Sequence, residues 1–504
     1  MSPPGAAPVW RNWHETVTQQ IRRFDVARND DESRSTLAHY NATARRLREL
    51  IGEAVDSGLS LRAVGGGWSF SSVAATDGIV LDTRRLNYRF HLGPESLAPG
   101  YDPAIRPVLL QCGISVADVH RYLAQRGQAL RTCGASNGQT IAGALGTGTH
   151  GAAIDVGAVQ DYVVGIHLAA TPDETVWLER SDRKVLSDAA VAALGARRIC
   201  DDDELYDAAL VSFGSFGLVL GVAIEPDALF FLHAFRAAAK LDDAWWEAVR
   251  TMDFGGVTLP GPAGRRPYHF ELNHNPIDAA DAVMATAMYR ESQRPPGAKI
   301  PTVEGGIGRG DSLVDVIGAL TDTWDGVTPL ALLVFKLGYK AFPKEGFAGT
   351  PGEIFKDTST RGRAASSAMG VPLEHAQQAL ALARAAVRKH DAPAFIAMRF
   401  VKAGRAVLGF TMHQPVTCVI EVDGAFSDRT LAAQSATWRA LEQAGIPYTF
   451  HWGKMNDLDA AKVRARWGDA RVDRWIEARR RILPTPAARR VFDNAFTLHL
   501  DLSD

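Results

Sequence analysis

The stretch Cys133-Gly-Ala-Ser-Asn-Gly-Gln-Thr-Ile-Ala-Gly-Ala-Leu-Gly-Thr-Gly-Thr-His-Gly151 is small, polar and dense in glycine. Its apolar residues, Ile141, Ala142, Ala144 and Leu145, promise little core. Glycine admits close approach of a ligand to the main chain. Successive exposed N–H groups make a concave anion site without any Lys or Arg. Within the stretch, Gly146-Thr-Gly148-Thr-His-Gly151 satisfies G-x-G-x-x-G. That pattern marks a dinucleotide-binding turn only between a strand and a helix. The lead-in Gln139–Leu145 has few β-branched residues, and Gly157 interrupts the lead-out. The stretch therefore reads as a backbone cradle for an anionic, flat ligand. A nicotinamide dehydrogenase using 146–151 is the competing reading.

The composition bounds the alternatives. A chain of 504 residues with 46% hydrophobic and 22% charged content has ample core for several domains. A net charge of -2 gives no reason to expect nucleic acid or an anionic membrane as partner. Cys112, Cys133, Cys200 and Cys418 are scattered, which suggests neither a disulfide framework nor a metal site. Met-Ser-Pro-Pro-Gly opens without a charged-then-apolar leader, and no apolar run approaches membrane length. A soluble, cytoplasmic protein is expected.

From the stretch outward, two more glycine-bearing turns appear. Leu59–Val64 alternates as a strand and runs into Gly65-Gly-Gly-Trp-Ser-Phe70. Ser212-Phe-Gly-Ser-Phe-Gly217 feeds an apolar strand through Glu225. Residues 1–35 read as an arm, Thr36–Ser57 as a helix stopped by Gly58, and Ser115–Arg126 as a helix stopped by Gly127. Strands are expected at 78–83, 107–112, 162–168 and 174–178. This describes an α+β domain built around an extended ligand. Beyond 230, strands are expected at 230–240, 268–274, 395–401 and 417–422, and helices at 242–252, 373–389 and 429–444. Residues 291–313 and 341–366, rich in Pro, Gly and charge, are expected to be loops. Strands covered by helices on one side make a second α+β domain with an antiparallel sheet.

Four segments carry a resemblance: Trp10-Arg-Asn-Trp13, Leu61-Arg-Ala-Val-Gly-Gly-Gly-Trp-Ser-Phe70, Thr140-Ile-Ala-Gly-Ala-Leu-Gly-Thr-Gly-Thr-His-Gly151 and His451-Trp-Gly-Lys454, with Asn494-Ala-Phe496 closing the series. In this combination the chain resembles the vanillyl-alcohol-oxidase (PCMH-type) FAD flavoproteins, in particular their aldonolactone and alditol oxidase branch. The resemblance implies a PCMH-type FAD-binding domain over 1–228, a substrate-binding cap over 229–450, and a C-terminal segment, 451–504, returning to the flavin. It implies that Gly65, Gly66, Gly67, Trp68 and Ser69 lie along the FAD pyrophosphate. Ala135, Ser136, Gly143, Thr147, Gly148 and His150 would line the flavin and its phosphates, beside Gly217 and Val219. The Ala135–Ser136 end would face the reactive flavin edge, with Gly146–Gly151 on the pyrophosphate side. Many relatives carry a flavin-linking histidine where this chain has Trp68. An indole has no suitable nucleophilic nitrogen, so the FAD is expected to be non-covalent; Cys133 is the other conceivable point of attachment.

Alcohol oxidation needs a hydride acceptor, a path for the hydroxyl proton and cations to orient oxygen. By resemblance, Lys454 and Arg399 take the cationic roles. Alditol-branch relatives have Glu two residues before that Arg; here it is Ala397. Glu271, Glu421, His269 and His274 are the remaining proton acceptors, and Glu271 and Glu421 complete the expected catalytic set. No metal is expected. The expected activity is oxidation of a sugar-like, polyol or lactone alcohol by hydride transfer to flavin N5, with O2 reduced to H2O2. The alternatives are a dehydrogenase using another acceptor, and a flavin-binding protein without alcohol oxidase activity.

Overall fold

A computed structural model describes residues 8–274, 276, 282–299, 347–355 and 363–503. Its strands sort into sheets by position in the chain. A three-stranded parallel sheet joins Arg23–Arg28, Ile79–Arg85 and Leu61–Val64. A six-stranded sheet runs Ala196–Ile199, Thr175–Leu178, Val163–Ala169, Leu218–Ile224, Val108–Gln111, Arg89–His91. Its centre is buried on both faces: every residue of Val163–Ala169 is buried, His167 among them with its Nδ1 on the Tyr40 hydroxyl. Strands of this kind must be covered on both sides. The helix Leu37–Ser57 contributes Tyr40, Ala44, Leu47 and Ile51 to the core, with the Thr36 hydroxyl capping its start.

Every described strand from 231 to 450 belongs to one antiparallel sheet. Its order is Phe347–Gly349, Phe231–Lys240, Ala282–Glu291, His269–His274, Ala394–Lys402, Val416–Ala425, Ala364–Pro372, Thr449–Phe450. Register decides what each face carries. Glu271 is paired with Arg399, Ala397 with Glu421, and Ser366 with Asp423. Side chains two apart share a face, so these six stand on one side. Ile396, Met398, Phe400, Ile420 and Val422 take the other side, where the amphipathic helices Ala376–Lys389 and Asp428–Gln443 cover the sheet.

The C-terminal segment folds back onto the first sheets. Trp475 Nε1 donates to the Val211 carbonyl at 3.0 Å, and Asn494 Nδ2 to Ala75 at 2.7 Å. Arg62, buried, donates to the carbonyls of Val73 at 2.6 Å, Phe213 at 2.5 Å and Phe492 at 3.0 Å.

Several expectations need correction. The Cys133–Gly151 stretch does contribute core: Ile141–Thr147 is a helix, and Ile141, Ala144 and Leu145 are buried. Alanine, glycine and leucine at helical spacing bury well where a neighbouring sheet lies close. Because a helix leads into Gly148–Gly151, the strand-turn-helix context of a dinucleotide motif is missing. The arm contains strands at Val9–Arg11, Thr18–Gln20 and Arg23–Arg28. The loop expected over 341–366 holds the strand Phe347–Gly349, a turn of helix at Pro351–Ile354 and the start of Ala364–Pro372. Other parts of that loop and of 291–313 lie outside the described residues. The strand Ala282–Glu291 was not expected at all.

Replacing Arg62 by Met removes the donor to the Phe213 and Phe492 carbonyls, while Val73 keeps Asn494 Nδ2. We expect the unfolding free energy to fall by about 3 kcal/mol, read as a lower denaturant midpoint at unchanged slope.

Candidate functional site

A cleft of about 360 Å³ runs between the glycine-bearing turns and the polar face of the eight-stranded sheet. Gly65, Gly66, Gly67, Trp68, Ser69, Ala135, Ser136, Gly143, Thr147, His150, Gly217 and Val219 all line it, as do Arg399, Glu421 and Lys454. Gly148 does not. It ends the helix in the left-handed region, φ 78°, and backs onto Phe410. Glu271 does not line the cleft either; it stands behind Arg399.

The turn Gly65–Ser69 is pinned from two sides. From the arm, Trp13 N donates to the Gly67 carbonyl at 2.7 Å and Asn12 Nδ2 to Ser69 at 2.8 Å. From the C-terminal segment, the Gly453 carbonyl accepts from Phe70 N at 2.7 Å, and Trp452 from Ser71 Oγ at 2.7 Å. Trp68 stacks on Trp13 at 5.6 Å with 11° between the planes. The turn also abuts the opening stretch without room for side chains. A Cβ on Gly66 would come to 2.4 Å from the Gly138 carbonyl, and one on Gly65 to 2.1 Å from Thr140 Oγ1. Residues 138–140 are thus the part of the stretch that adjoins Gly65–Gly67. The helix Ile141–Thr147 then carries the chain about 10 Å onward, to His150 beside Glu421. His150 thus stands beside the charged cluster, while Thr147 and Ser69 both come up against Gly453.

That cluster holds two cations and three carboxylates on buried or largely buried side chains. Arg399 Nη1 pairs with Glu421 Oε2, and Lys454 Nζ lies 2.9 Å from Glu421 Oε1. Arg399 Nε is 3.3 Å from Glu271 Oε2, and Lys454 Nζ is 3.7 Å from Asp423. Ser366 Oγ donates to Asp423. Ala397 offers only a methyl group, but the residue opposite it on the next strand is Glu421. Glu421 pairs with Arg399, two residues on from Ala397.

The electrostatics follow from burial and contact. Burial alone would raise the Glu421 carboxyl, but Arg399 and Lys454 outweigh it and hold the group well below the usual carboxylate range. Glu271 is likewise held low, its burial overcome by His269 and Arg399. Asp423 moves the other way, raised by burial. Lys454 would be lowered by burial, yet Asp423 and Glu421 keep it raised and charged. Burial lowers His150 to about 4, and pushes the Cys133 thiol up to about 12. His274 sits on the opposite face of its strand from His269 and Glu271. Among the described residues, no group of His, Cys, Asp and Glu could hold a metal ion.

Sequence reasoning missed Asp423, Ser366 and His451, all on the cleft wall. Strand alternation from Glu421 would have found Asp423. Ser366 fell in a stretch read as loop, and no local signal marks His451 beyond its neighbour Lys454.

Comparison with known proteins agrees with this geometry. Residues 39–178 match the family described as "FAD binding domain". L-gulono-1,4-lactone dehydrogenase of Mycobacterium tuberculosis is 25% identical over 97% of this chain and 98% of its own length. D-arabinono-1,4-lactone oxidase of Eremothecium gossypii is 26% identical over 48% of this chain, and that match spans only 39% of the relative. Cholesterol oxidase from B. sterolicum superposes over 99% of both chains with a TM-score of 0.69 at 15% identity. Xylooligosaccharide oxidase from Myceliophthora thermophila superposes over 97% of this chain and 96% of its own with a TM-score of 0.60 at 13% identity. The class is an FAD-dependent oxidoreductase with the fold of the vanillyl-alcohol-oxidase, PCMH-type flavoproteins. Within that class the chain resembles the aldonolactone oxidase and dehydrogenase branch.

The residues present fit FAD. Among the described residues, the amides of Gly66, Gly67, Trp68 and Ser69 donate to no protein acceptor, although they line the cleft. These residues are half-buried; amides without a protein partner suit an anionic ligand, and the pyrophosphate of FAD would supply acceptor oxygens. The Gly66→Ala variant would push the Gly138 carbonyl away and splay the two turns. We expect FAD affinity to fall at least tenfold, roughly 1.4 kcal/mol, with the far-UV spectrum unchanged; titration of apoprotein by flavin fluorescence measures it.

Proposed function

We propose that the protein oxidises a hydroxyl-bearing carbon of a small sugar-like substrate, a lactone or polyol, using non-covalently bound FAD. The observation that carries this reading is the Arg399–Glu421–Lys454 cluster on the cleft wall, together with the full-length relative named a lactone dehydrogenase. FAD, when bound, supplies the two-electron acceptor.

The chain's own residues have separable tasks. Lys454 and Arg399 orient substrate oxygens and stabilise negative charge as the hydroxyl loses its proton. Glu421 keeps both cations in place, and Glu271 braces Arg399 from behind. The polar face of the eight-stranded sheet suits a hydroxylated substrate better than a hydrocarbon one. Non-covalent binding is supported by Trp68, whose indole offers no nucleophile, and by the buried, protonated Cys133 thiol. Residues 1–228 and 451–504 would hold FAD, and residues 229–450 would bind substrate. O2 is the acceptor we favour, giving H2O2; Ala135 on the cleft wall leaves space near the flavin. Four free cysteines suit a reducing, cytoplasmic setting.

Anaerobic mixing with sugar lactones and polyols should bleach the flavin band of the wild type. Failure of every member to bleach a yellow protein would favour a flavin-binding role without alcohol oxidation. Reoxidation in air much slower than turnover with an artificial acceptor would assign a dehydrogenase. Acid precipitation should leave the yellow colour in the supernatant; a yellow pellet overturns non-covalent binding. Lys454→Met should slow flavin reduction by about a hundredfold with the oxidised flavin spectrum retained.

A further inference from the structure

With the alcohol-oxidation reading in place, the question left by Ala397 is where the hydroxyl proton goes. The carboxylates nearest the cations are poorly suited. Glu421 has both oxygens engaged, one by Arg399 and one by Lys454, and Glu271 lies off the cleft with its oxygens on Asn273 and Arg399. Each of these oxygens already accepts from a donor that an incoming proton would have to displace. His451 is also unsuited: its Nδ1 accepts from Gly453 N at 3.0 Å, which puts the proton of the neutral ring on Nε2.

His150 has the opposite arrangement. Its Nδ1 lies 2.9 Å from the Gly151 carbonyl, which can only accept, so Nδ1 carries the proton and Nε2 presents a lone pair. The ring is buried, between Phe410 and His451, and lines the cleft. Nε2 stands 3.7 Å from Glu421 Oε1, the same oxygen that holds Lys454 Nζ. A hydroxyl entering beside that oxygen meets a proton acceptor and a cation together.

We propose that His150 Nε2 is the proton acceptor for the substrate hydroxyl. The O–H bond breaks and its proton moves to Nε2; the C–H hydrogen leaves with its electron pair to bound FAD; the carbon–oxygen bond becomes a carbonyl. Glu421 then faces the imidazolium and stabilises it. The charged and titratable groups around the ring are Glu421 and Arg399 from the sheet, and Lys454 and His451 from the C-terminal turn. Burial, the largest influence, leaves the ring neutral at pH 7 with its Nε2 lone pair free; it also weakens the base, and the Glu421 carboxylate beside it offsets part of that loss as the proton arrives. Asp423, with a raised carboxyl and a place on the cleft wall, is the rival.

The test follows flavin reduction by stopped flow, in wild type, His150→Asn, His150→Ala and Asp423→Asn, each loaded with FAD, using a substrate that reduces the wild type. His150→Asn should lose at least a hundredfold in reduction rate with the flavin spectrum kept. Its flat profile above pH 5 should become a rate that rises with pH, because solvent base must take the proton. Added imidazole should restore part of the rate in His150→Ala. Wild-type rates in the His150 variants, or loss of rate without the pH change or rescue, overturn the proposal while leaving the proposed function standing. Collapse in Asp423→Asn alone gives the role to Asp423 and likewise overturns it. A wild type that no substrate reduces defeats the functional reading, and this proposal with it.

Discussion

The rest of the structure is arranged around a buried carboxylate that must stay charged. Glu421 lies in the middle of a sheet with no exposure to water. An ion in that position carries a desolvation penalty of several kcal/mol, offset only by close and well-aligned partners. Those partners come from separate parts of the chain. Arg399 arrives from the adjacent strand at the correct register, and Lys454 from a turn that must fold back after the last strand. A register slip of one residue would send Arg399 to the apolar face and leave the carboxylate alone. Strand pairing, the C-terminal return and the charge state of the cleft are therefore one constraint seen from three sides.

The other half of the cleft solves a different problem with almost no charge. Gly66 to Ser69 line the cavity, with amides that meet no acceptor among the described residues; the Gly67 and Ser69 carbonyls accept from the arm, and Phe70 N and Ser71 Oγ donate to the C-terminal segment. Fixing the carbonyls orients the amides. On the proposed function, such amides would hold the diphosphate of FAD in a chain of net charge -2. The close contact of Gly65 and Gly66 with residues 138–140 makes the two turns a single wall.

Much of this was legible in the sequence. The helix caps at Thr36 and Ser115 and the apolar strands at 163–169 and 218–224 follow local rules, and they appear where expected. Lys454, Arg399 and Glu421 were singled out by type and position, and they converge on the cleft. What was not legible depends on pairing between distant strands. Nothing local says that position 421 stands opposite 397, or that Glu271 sits behind Arg399 rather than on the cleft. The strand Ala364–Pro372 escaped notice because its Ala, Ser and Gly residues have low strand propensity. Its place beside Val416–Ala425 is set by the sheet, not by its own composition. The course of the 133–151 stretch was not legible either: a short helix inside it carries His150 to Glu421.

Arg62 also bears on how the chain is made. Its guanidinium bonds Val73, eleven residues on, and Phe492, 430 residues on. While a nascent chain is still emerging, the first sheets can form, but one of their buried cations lacks the carbonyl that completes its shell. Contacts of such sequence separation are slow to close. The first sheets are thus finished last although they are synthesised first. A partly made chain exposes the surface that residues 475–494 later cover, and this interval is when aggregation and chaperone capture compete with folding.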